Sequence, residues 1–254
     1  MVPSLFLAHG SPMLAIEPSP YAEFLARLGR NLTPEAIVIF TAHWESDILT
    51  ISSTDDTYET IYDFYGFPPE LYAVRYPAKG SKRIAAHVRE RLTKRGIPSR
   101  TDERRGLDHG SWTLLSRMYP QADIPVVQAS VNPYLPPDKQ YEIGVTLRGL
   151  GADGILIIGS GVTVHNLRMI RWEQTEPEDW AVRFDDWLIE RLQNRDTASL
   201  FQYAEQAPYA RQAVPRAEHF VPLFIAYGSG GDTAEVLYRG YEYGTLSYLC
   251  LSFQ

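Results

Sequence analysis

The chain has 254 residues, of which 44% are hydrophobic and 22% are charged. These fractions are close to the averages for soluble globular proteins, and they exclude a disordered chain, a collagen-like repeat and a coiled coil. The formal net charge of −7 lacks the cationic excess that binding to a phosphate backbone needs, so we expect no nucleic acid partner.

Short apolar runs bounded by turn signals alternate with segments of helical periodicity along the chain. In chain order, the predicted elements are a strand over 4–8, a helix over 21–28, strands over 36–42 and 48–52, helices over 81–94 and 110–118, a strand over 125–130, a helix over 139–150, a strand over 155–159, helices over 178–193 and 221–227, and a strand over 247–253. This alternation predicts an α/β fold. We expect a single three-layer domain over residues 1–254, with a central, mostly parallel mixed sheet and helices on both faces.

The cysteine content and the apolar runs limit the class of protein further. A single cysteine, Cys250, excludes an internal disulfide framework and any metal site built from several thiolates. No apolar run reaches the roughly 18 residues of a membrane span, and the start of the chain does not read as a signal peptide. We therefore expect a cytoplasmic protein with no membrane partner, as a monomer or a homo-oligomer, whose metal sites use nitrogen or oxygen ligands.

Five of the six histidines lie where the elements of an α/β fold converge. His9 and His43 end the first two predicted strands, and His165 follows the strand over 155–159. His109 lies in the turn before a helix, and His219 opens the helix over 221–227. In open α/β sheets, ligands bind in the crevice at the carboxyl ends of the strands. Several imidazoles meeting there, with no thiolate available, are typical of a site for a divalent metal.

For each of these residues the alternative is a structural role. A lone histidine at a strand end is more often a hydrogen-bonded structural residue than a ligand, so the prediction depends on the group. His87 lies in the middle of a helix and is expected to be structural or exposed. The Gly159-Ser160-Gly161 turn lacks the G-x-G-x-x-G spacing of a nucleotide loop. Neither Ser11 nor Ser160 lies in the G-x-S-x-G turn of a serine hydrolase.

Six sequence blocks in order carry a resemblance to a known family. They are HGSP at 9–12, TAHWES at 41–46, YDFYGFPPELYAVRYPAKG at 62–80, GLDHGSW at 106–112, GSGVTVHNL at 159–167 and EHFVPL at 218–223. With these blocks, the chain resembles the class III extradiol ring-cleaving dioxygenases of the LigB superfamily, most closely those of the DOPA 4,5-dioxygenase type. The resemblance implies a non-haem Fe(II) site that binds a catechol through both hydroxyl oxygens and opens its ring with O2. Bound Zn(II) is also usual in structures of this kind.

The resemblance also implies roles for individual residues. The metal ligands of the family fall on His9, His43 and His219. His165 matches a position described either as a fourth ligand or as the catalytic acid/base. Ring opening needs a group that takes a phenolic proton and returns it, which suits histidine. We assign that role to His165, with His109 as a second catalytic histidine that donates a hydrogen bond to bound oxygen or substrate.

The chain departs from the best-known members of the superfamily at one ligand position. Those members complete a triad of two histidines and one carboxylate with Glu, whereas the aligned residue here is His219, with Glu218 beside it. The ligand set is therefore either three or four histidines or a triad that contains glutamate. We favour histidine, because the DOPA-type subgroup carries EHF at this place and because a Glu at a helix start is equally explained by the helix dipole.

Two further groups are candidates for the surroundings of the site. Residues 62–68, called the aromatic segment below, would suit a lid over a planar ring or simply pack on the sheet. Trp44, Glu45 and Asn166 follow presumptive ligands, and we expect them to hold the imidazoles by hydrogen bonds, although Trp44 could equally be a core residue.

Two other functions remain open at this point. One is a zinc-dependent hydrolase on the same scaffold, in which a metal-bound water attacks an ester or amide. The other is a binding protein that has kept the metal pocket without catalysis. A proton-transfer histidine has no use in a purely structural metal site, and this argues against the second alternative.

Overall fold

The computed structural model describes residues 2–254. In this range the strands are β1 (Ser4–Ala8), β2 (Ala36–Glu45), β3 (Leu49–Ser52), β4 (Ser99–Asp102), β5 (Val126–Val131), β6 (Ile155–Gly161), β7 (Ala234–Tyr238), β8 (Tyr241–Glu242), β9 (Leu246–Ser247) and β10 (Cys250–Phe253). The helices are α1 (Pro20–Asn31), α2 (Pro69–Ala73), α3 (Lys82–Lys94), α4 (His109–Met118), α5 (Pro137–Leu147), α6 (Asp179–Gln193), α7 (Thr197–Phe201), α8 (Tyr203–Gln206), α9 (Ala210–Ala213) and α10 (Val221–Ser229). None of the helices in residues 2–254 combines the length and apolarity needed to cross a membrane.

Eight of these strands form one mixed sheet in the order β4-β3-β5-β2-β6-β1-β10-β7. The four central strands, β5, β2, β6 and β1, run parallel to one another. On the two flanks, β3 runs antiparallel to β5, and β10 runs antiparallel to β1. Because parallel neighbours end at the same edge, the carboxyl ends of β1, β2 and β6 meet there.

Side chains of the central strands alternate between two apolar layers. On β1, Leu5 and Leu7 pack with Leu25 of α1, whereas Phe6 packs on the other side with Phe184 of α6. All five side chains are fully buried. This alternation is expected of a strand buried on both faces. Helices therefore cover both faces of the sheet, and the predicted three-layer α/β fold is confirmed.

The prediction missed the four short helices α2, α7, α8 and α9, and it also differs from the structure at the edges of the sheet. The sequence pattern does not predict β4 or β7, the two outermost strands, and it predicts one strand over 247–253 where the structure has β9 and β10. The β4 sequence, Ser-Arg-Thr-Asp, has no apolar residue, and its side chains are exposed or half-buried. Its pairing with β3, and not apolar burial, makes it a strand.

Candidate metal centre

Three histidines converge at the carboxyl edge of the sheet. His9 directly follows β1, His43 lies near the end of β2, and His219 comes two residues before α10. One ring nitrogen of each lies within 4.8 Å of the others. The Nε2 atoms of His9 and His43 are 3.1 Å apart. The structure thus brings together the three residues to which the resemblance gives the metal.

Local backbone features place these side chains. The pairing of β2 with β5 shifts register between Phe40 and Glu45, so β2 bulges where it carries His43. Such bulges re-aim side chains and are common beside active sites. At the end of β6, a Cβ on Gly161 would overlap the backbone carbonyl of His219. Glycine there allows the segment before α10 to lie against the sheet, where the Val162 amide donates to that carbonyl at 2.9 Å.

Each of the three imidazoles is held by a hydrogen bond at Nδ1. The partners are Ser160 Oγ at 2.9 Å from His9, Asp63 Oδ2 at 3.0 Å from His43, and Glu218 Oε1 at 3.0 Å from His219. An ionised carboxylate only accepts hydrogen bonds, so the Nδ1 atoms that face Asp63 and Glu218 carry protons. Ser160 gives its hydroxyl hydrogen to the backbone carbonyl of Gly110, so its oxygen accepts from Nδ1 of His9. The Nε2 lone pairs of all three rings are therefore free. Histidine ligands in metal sites have the same arrangement, with the second ring nitrogen held by an outer partner.

Burial favours the neutral form of His9, His219 and His165. It lowers the pKa of His9 and of His219 well below the usual value, and neighbouring imidazoles lower both further. Burial also lowers the pKa of His165 to about 4, with His43 and His109 adding to the effect. Near neutral pH these rings therefore offer lone pairs and repel a divalent cation less than imidazolium rings would.

The donor set fits a divalent transition metal. Two nitrogen ligands at about 2.1 Å from one ion are about 3.0 Å apart at a right angle and about 3.4 Å apart at a tetrahedral angle. The 3.1 Å between the Nε2 atoms of His9 and His43 falls within this interval. Three imidazole ligands suit Fe(II) and Zn(II), and they leave coordination positions open.

His165 and His109 flank the three converging imidazoles. The ring of His165 stacks on that of His219, with centroids 3.7 Å apart and planes inclined by 13°. His109 is the first residue of α4, and its ring centroid is 3.9 Å from that of His43. Both histidines with a predicted catalytic role therefore lie in the crevice, beside the three converging imidazoles.

Asp63 is the residue of this site that the sequence analysis missed as an individual. Its side chain, which is one quarter exposed, contacts both His43 and His109. Burial raises the pKa of its carboxyl, but the hydrogen bonds from His109 and His43 outweigh burial and hold that pKa well below its usual range. The available signal was an acidic residue inside the otherwise apolar aromatic segment.

The predicted hydrogen bonds from Trp44, Glu45 and Asn166 to the imidazoles are wrong, whereas the alternative for Trp44 is met, because its side chain is buried. Trp44 packs beneath the guanidinium of Arg105, 4.8 Å from its ring centroid. Glu45 forms a two-pronged ion pair with Arg216, and Asn166 donates to a backbone carbonyl. For Trp44 the prediction failed because successive side chains of a strand point in opposite directions, so the residue that follows His43 faces away from it.

His87 stands apart from the crevice, as predicted. It lies on α3, and its side chain is 39% exposed, with Nε2 3.7 Å from a carboxylate oxygen of Asp153. This surface contact is an Asp–His pair outside the site.

Comparison with known proteins agrees with the six sequence blocks. The family model of the catalytic LigB subunit of aromatic ring-opening dioxygenase matches residues 3–253. The chain is 39% identical over 252 residues to a 4,5-DOPA dioxygenase extradiol of Beta vulgaris, covering 96% of this chain and 94% of that protein. It is 36% identical over 255 residues to a protein of the same name from Escherichia coli K12, covering 98% and 93%.

A solved structure shares the whole fold. The crystal structure of an uncharacterized protein from Escherichia coli K12 superposes with a TM-score of 0.86 at 32% sequence identity, and the match covers 100% of both chains. The family match over residues 3–253 and the identities of 36–39% confirm the resemblance. The chain belongs to the LigB family of aromatic ring-opening dioxygenases, which are oxidoreductases.

Proposed function

We propose that this protein is an extradiol dioxygenase that opens the ring of a catechol with O2, using a non-haem Fe(II) held by His9, His43 and His219. One observation carries the proposal. Three imidazoles meet at the carboxyl edge of the sheet, each tied through Nδ1 and each left with Nε2 free. Family membership supplies the reaction class, and this donor set supplies a place for the metal.

Three protein ligands leave positions for the two catechol oxygens and for O2. Bound Fe(II) would supply a redox-active centre that activates oxygen, whereas Zn(II), which does not change redox state, would occupy the same ligands without supporting the reaction. Glu218 hydrogen bonds to His219 through Oε1. We therefore assign Glu218 to orienting that ligand and not to the metal itself.

His165 is proposed as the group that takes the phenolic proton and returns it later in the reaction. Its ring lies against that of His219, and one of its ring nitrogens lies close to a ring nitrogen of His219 and a carboxylate oxygen of Glu218, but it is not part of the group formed by His9, His43 and His219. This arrangement supports the acid/base role over that of a fourth ligand. His109, next to His43, is proposed to contact bound oxygen or the substrate.

The substrate is proposed to be a DOPA-like catechol. The names of the relatives state DOPA for those proteins. In this chain, Phe64 of the aromatic segment lies edge-on to His109, with ring centroids 5.6 Å apart. Tyr65, next to it, is 92% exposed. Aromatic side chains at this position suit edge or offset packing against a planar ring.

A cytoplasmic location is part of the proposal. Cys250, the single cysteine, is a buried free thiol, which fits a reducing compartment.

The test is anaerobic loading with Fe(II), followed by oxygen-electrode assays with DOPA, protocatechuate, catechol and homoprotocatechuate. We expect oxygen uptake and a yellow ring-opened product with at least one catechol, and neither from the Zn(II)-loaded protein. Absence of oxygen uptake with every catechol would contradict the proposal. Ester or amide hydrolysis by the Zn(II) form, without oxygen uptake, would instead support the hydrolase alternative.

A further inference from the structure

A single carboxylate holds two imidazoles of the site. Asp63 Oδ2 is 3.0 Å from Nδ1 of His43, and Asp63 Oδ1 is 2.9 Å from Nδ1 of His109. Oδ1 also accepts from the backbone amide of His109 at 3.0 Å. The two histidines come from β2 and from the start of α4, and Asp63 comes from the aromatic segment. Three separate parts of the chain therefore meet at one side chain.

This contact fixes where the ring protons are. A carboxylate has no hydrogen to donate, so both Nδ1 atoms must carry the proton of their ring. Both Nε2 atoms then hold a lone pair. For His43, that lone pair faces Nε2 of His9, 3.1 Å away, where the metal is proposed to bind.

We propose that Asp63 is a positioning residue that sets the tautomers of His43 and His109 together and ties the aromatic segment to the metal centre. The inference rests on the proposed metal site and extends it to the segment that would cover the substrate. Phe64, the next residue, contacts the ring of His109. The same carboxylate thus prepares a ligand and holds in place the side chains proposed to pack on the substrate.

The variant Asp63→Asn keeps the shape of the side chain but replaces one hydrogen-bond acceptor with a donor. An amide has one acceptor oxygen and one donor nitrogen. The oxygen belongs on the side of His109, which offers two donors, its Nδ1 and its backbone amide. The amide nitrogen would then face Nδ1 of His43 and favour the tautomer with the proton on Nε2. That proton would occupy the lone pair needed for the metal.

The measurement is the affinity of the metal-free protein for Zn(II), by competition with a chromophoric chelator. Asp63→Asn is expected to weaken binding by about 10- to 100-fold, as is usual when the outer partner of a ligand is lost. The matched control is Asp153→Asn, which removes the carboxylate from the surface pair with His87 and should leave the affinity unchanged. Circular dichroism of both variants checks that they fold.

A second measurement needs no variant. In the metal-free wild-type protein, ¹⁵N spectra of labelled histidine should show His43 and His109 protonated at Nδ1. Protonation of either ring at Nε2 alone, or wild-type Zn(II) affinity in a folded Asp63→Asn protein, would overturn the inference. If Zn(II) affinity depends on Asp63 while the iron form turns over no catechol, the proposed function fails and the role of Asp63 stands.

Discussion

Two buried polar groups of this protein differ in whether their polar atoms remain available to a ligand. The first is the histidine crevice, formed by His9, His43 and His219. The second is the Asp185 network, defined as Asp185 with Thr163, Tyr241 and Ser247. In that network, Oδ1 accepts from Thr163 at 2.7 Å, and Oδ2 accepts from Ser247 at 2.6 Å and from Tyr241 at 2.8 Å. All three hydroxyls point at the carboxylate they surround.

The comparison shows that burial and perturbed acidity do not identify the site. Burial raises the pKa of Asp185, although three hydrogen bonds oppose it, and burial lowers the pKa of His9. Both shifts favour the neutral form. The crevice differs because its imidazoles are held through Nδ1, and their Nε2 atoms, which face one another, remain available to a ligand. The Asp185 network uses its hydrogen-bonding atoms internally and serves the fold.

The largest expected effect is the loss of a proposed ligand. His43→Ala should weaken metal binding by at least about 100-fold, because it removes a ligand and not merely its outer partner. Catechol turnover should fall to background. Metal content after dialysis and oxygen uptake measure the two effects, and His87→Ala, on the surface of α3, is the control that should match the wild type. A His43→Ala protein that retains metal and turnover would remove His43 from the ligand set.

The second effect separates proton transfer from metal binding within the crevice. His165→Ala should lower kcat by about 10²- to 10⁴-fold, the usual contribution of a positioned acid or base, while metal content stays near the wild-type value. Steady-state kinetics and metal analysis on the same preparation measure both. Loss of the metal together with activity would make His165 a fourth ligand instead.

The third effect should appear in stability and not in metal binding. Asp185→Asn places an amide where three hydroxyls donate, so at least one donor loses its acceptor. We expect the free energy of unfolding to fall by about 2 kcal/mol, measured by urea denaturation. Zn(II) affinity should be unchanged in the folded variant. A large loss of affinity with normal stability would mean that the Asp185 network belongs to the metal site.

The smallest expected effect is a change with pH in the difference in unfolding free energy between the wild type and Asp185→Asn. Because burial raises the pKa of Asp185 above its unfolded value, the folded state binds the proton more tightly. The stability that Asp185 contributes is present below its pKa in the unfolded chain. It is lost as pH rises through its pKa in the folded protein. The wild-type advantage over Asp185→Asn should therefore shrink from about pH 4 upward. A growing advantage would show that the network stabilises the ionised carboxylate.

The central strands and the place of the site were predictable because they rest on local patterns. Apolar runs such as Leu5–Leu7 are fully buried in the sheet, and His9 and His43 lie at the ends of such runs. Neighbouring parallel strands bring those ends to the same edge of the sheet, independently of the conformation of the loops. The bulge in β2 does not appear in the pattern, since it depends on how β2 pairs with β5.

The outer partners of the imidazoles were not predictable from adjacency. Asp63 reaches His43 across 20 positions in sequence, and Ser160 reaches His9 across 151. The first contact depends on how the loop that carries Asp63 crosses the edge of the sheet, and the second depends on the pairing of β1 with β6. Only Glu218, the immediate neighbour of His219, lies close enough in sequence to suggest its role.

The most direct test of the account is the position of a bound metal in crystals. Anomalous diffraction at the absorption edge of Fe or Zn should show one peak bonded to Nε2 of His9, His43 and His219, at about 2.1 Å. The nearest atoms of His165 and Glu218 should lie outside bonding distance. A peak bonded to the Glu218 carboxylate or to a ring of His165, or a peak away from the three Nε2 atoms, would contradict the proposed metal centre.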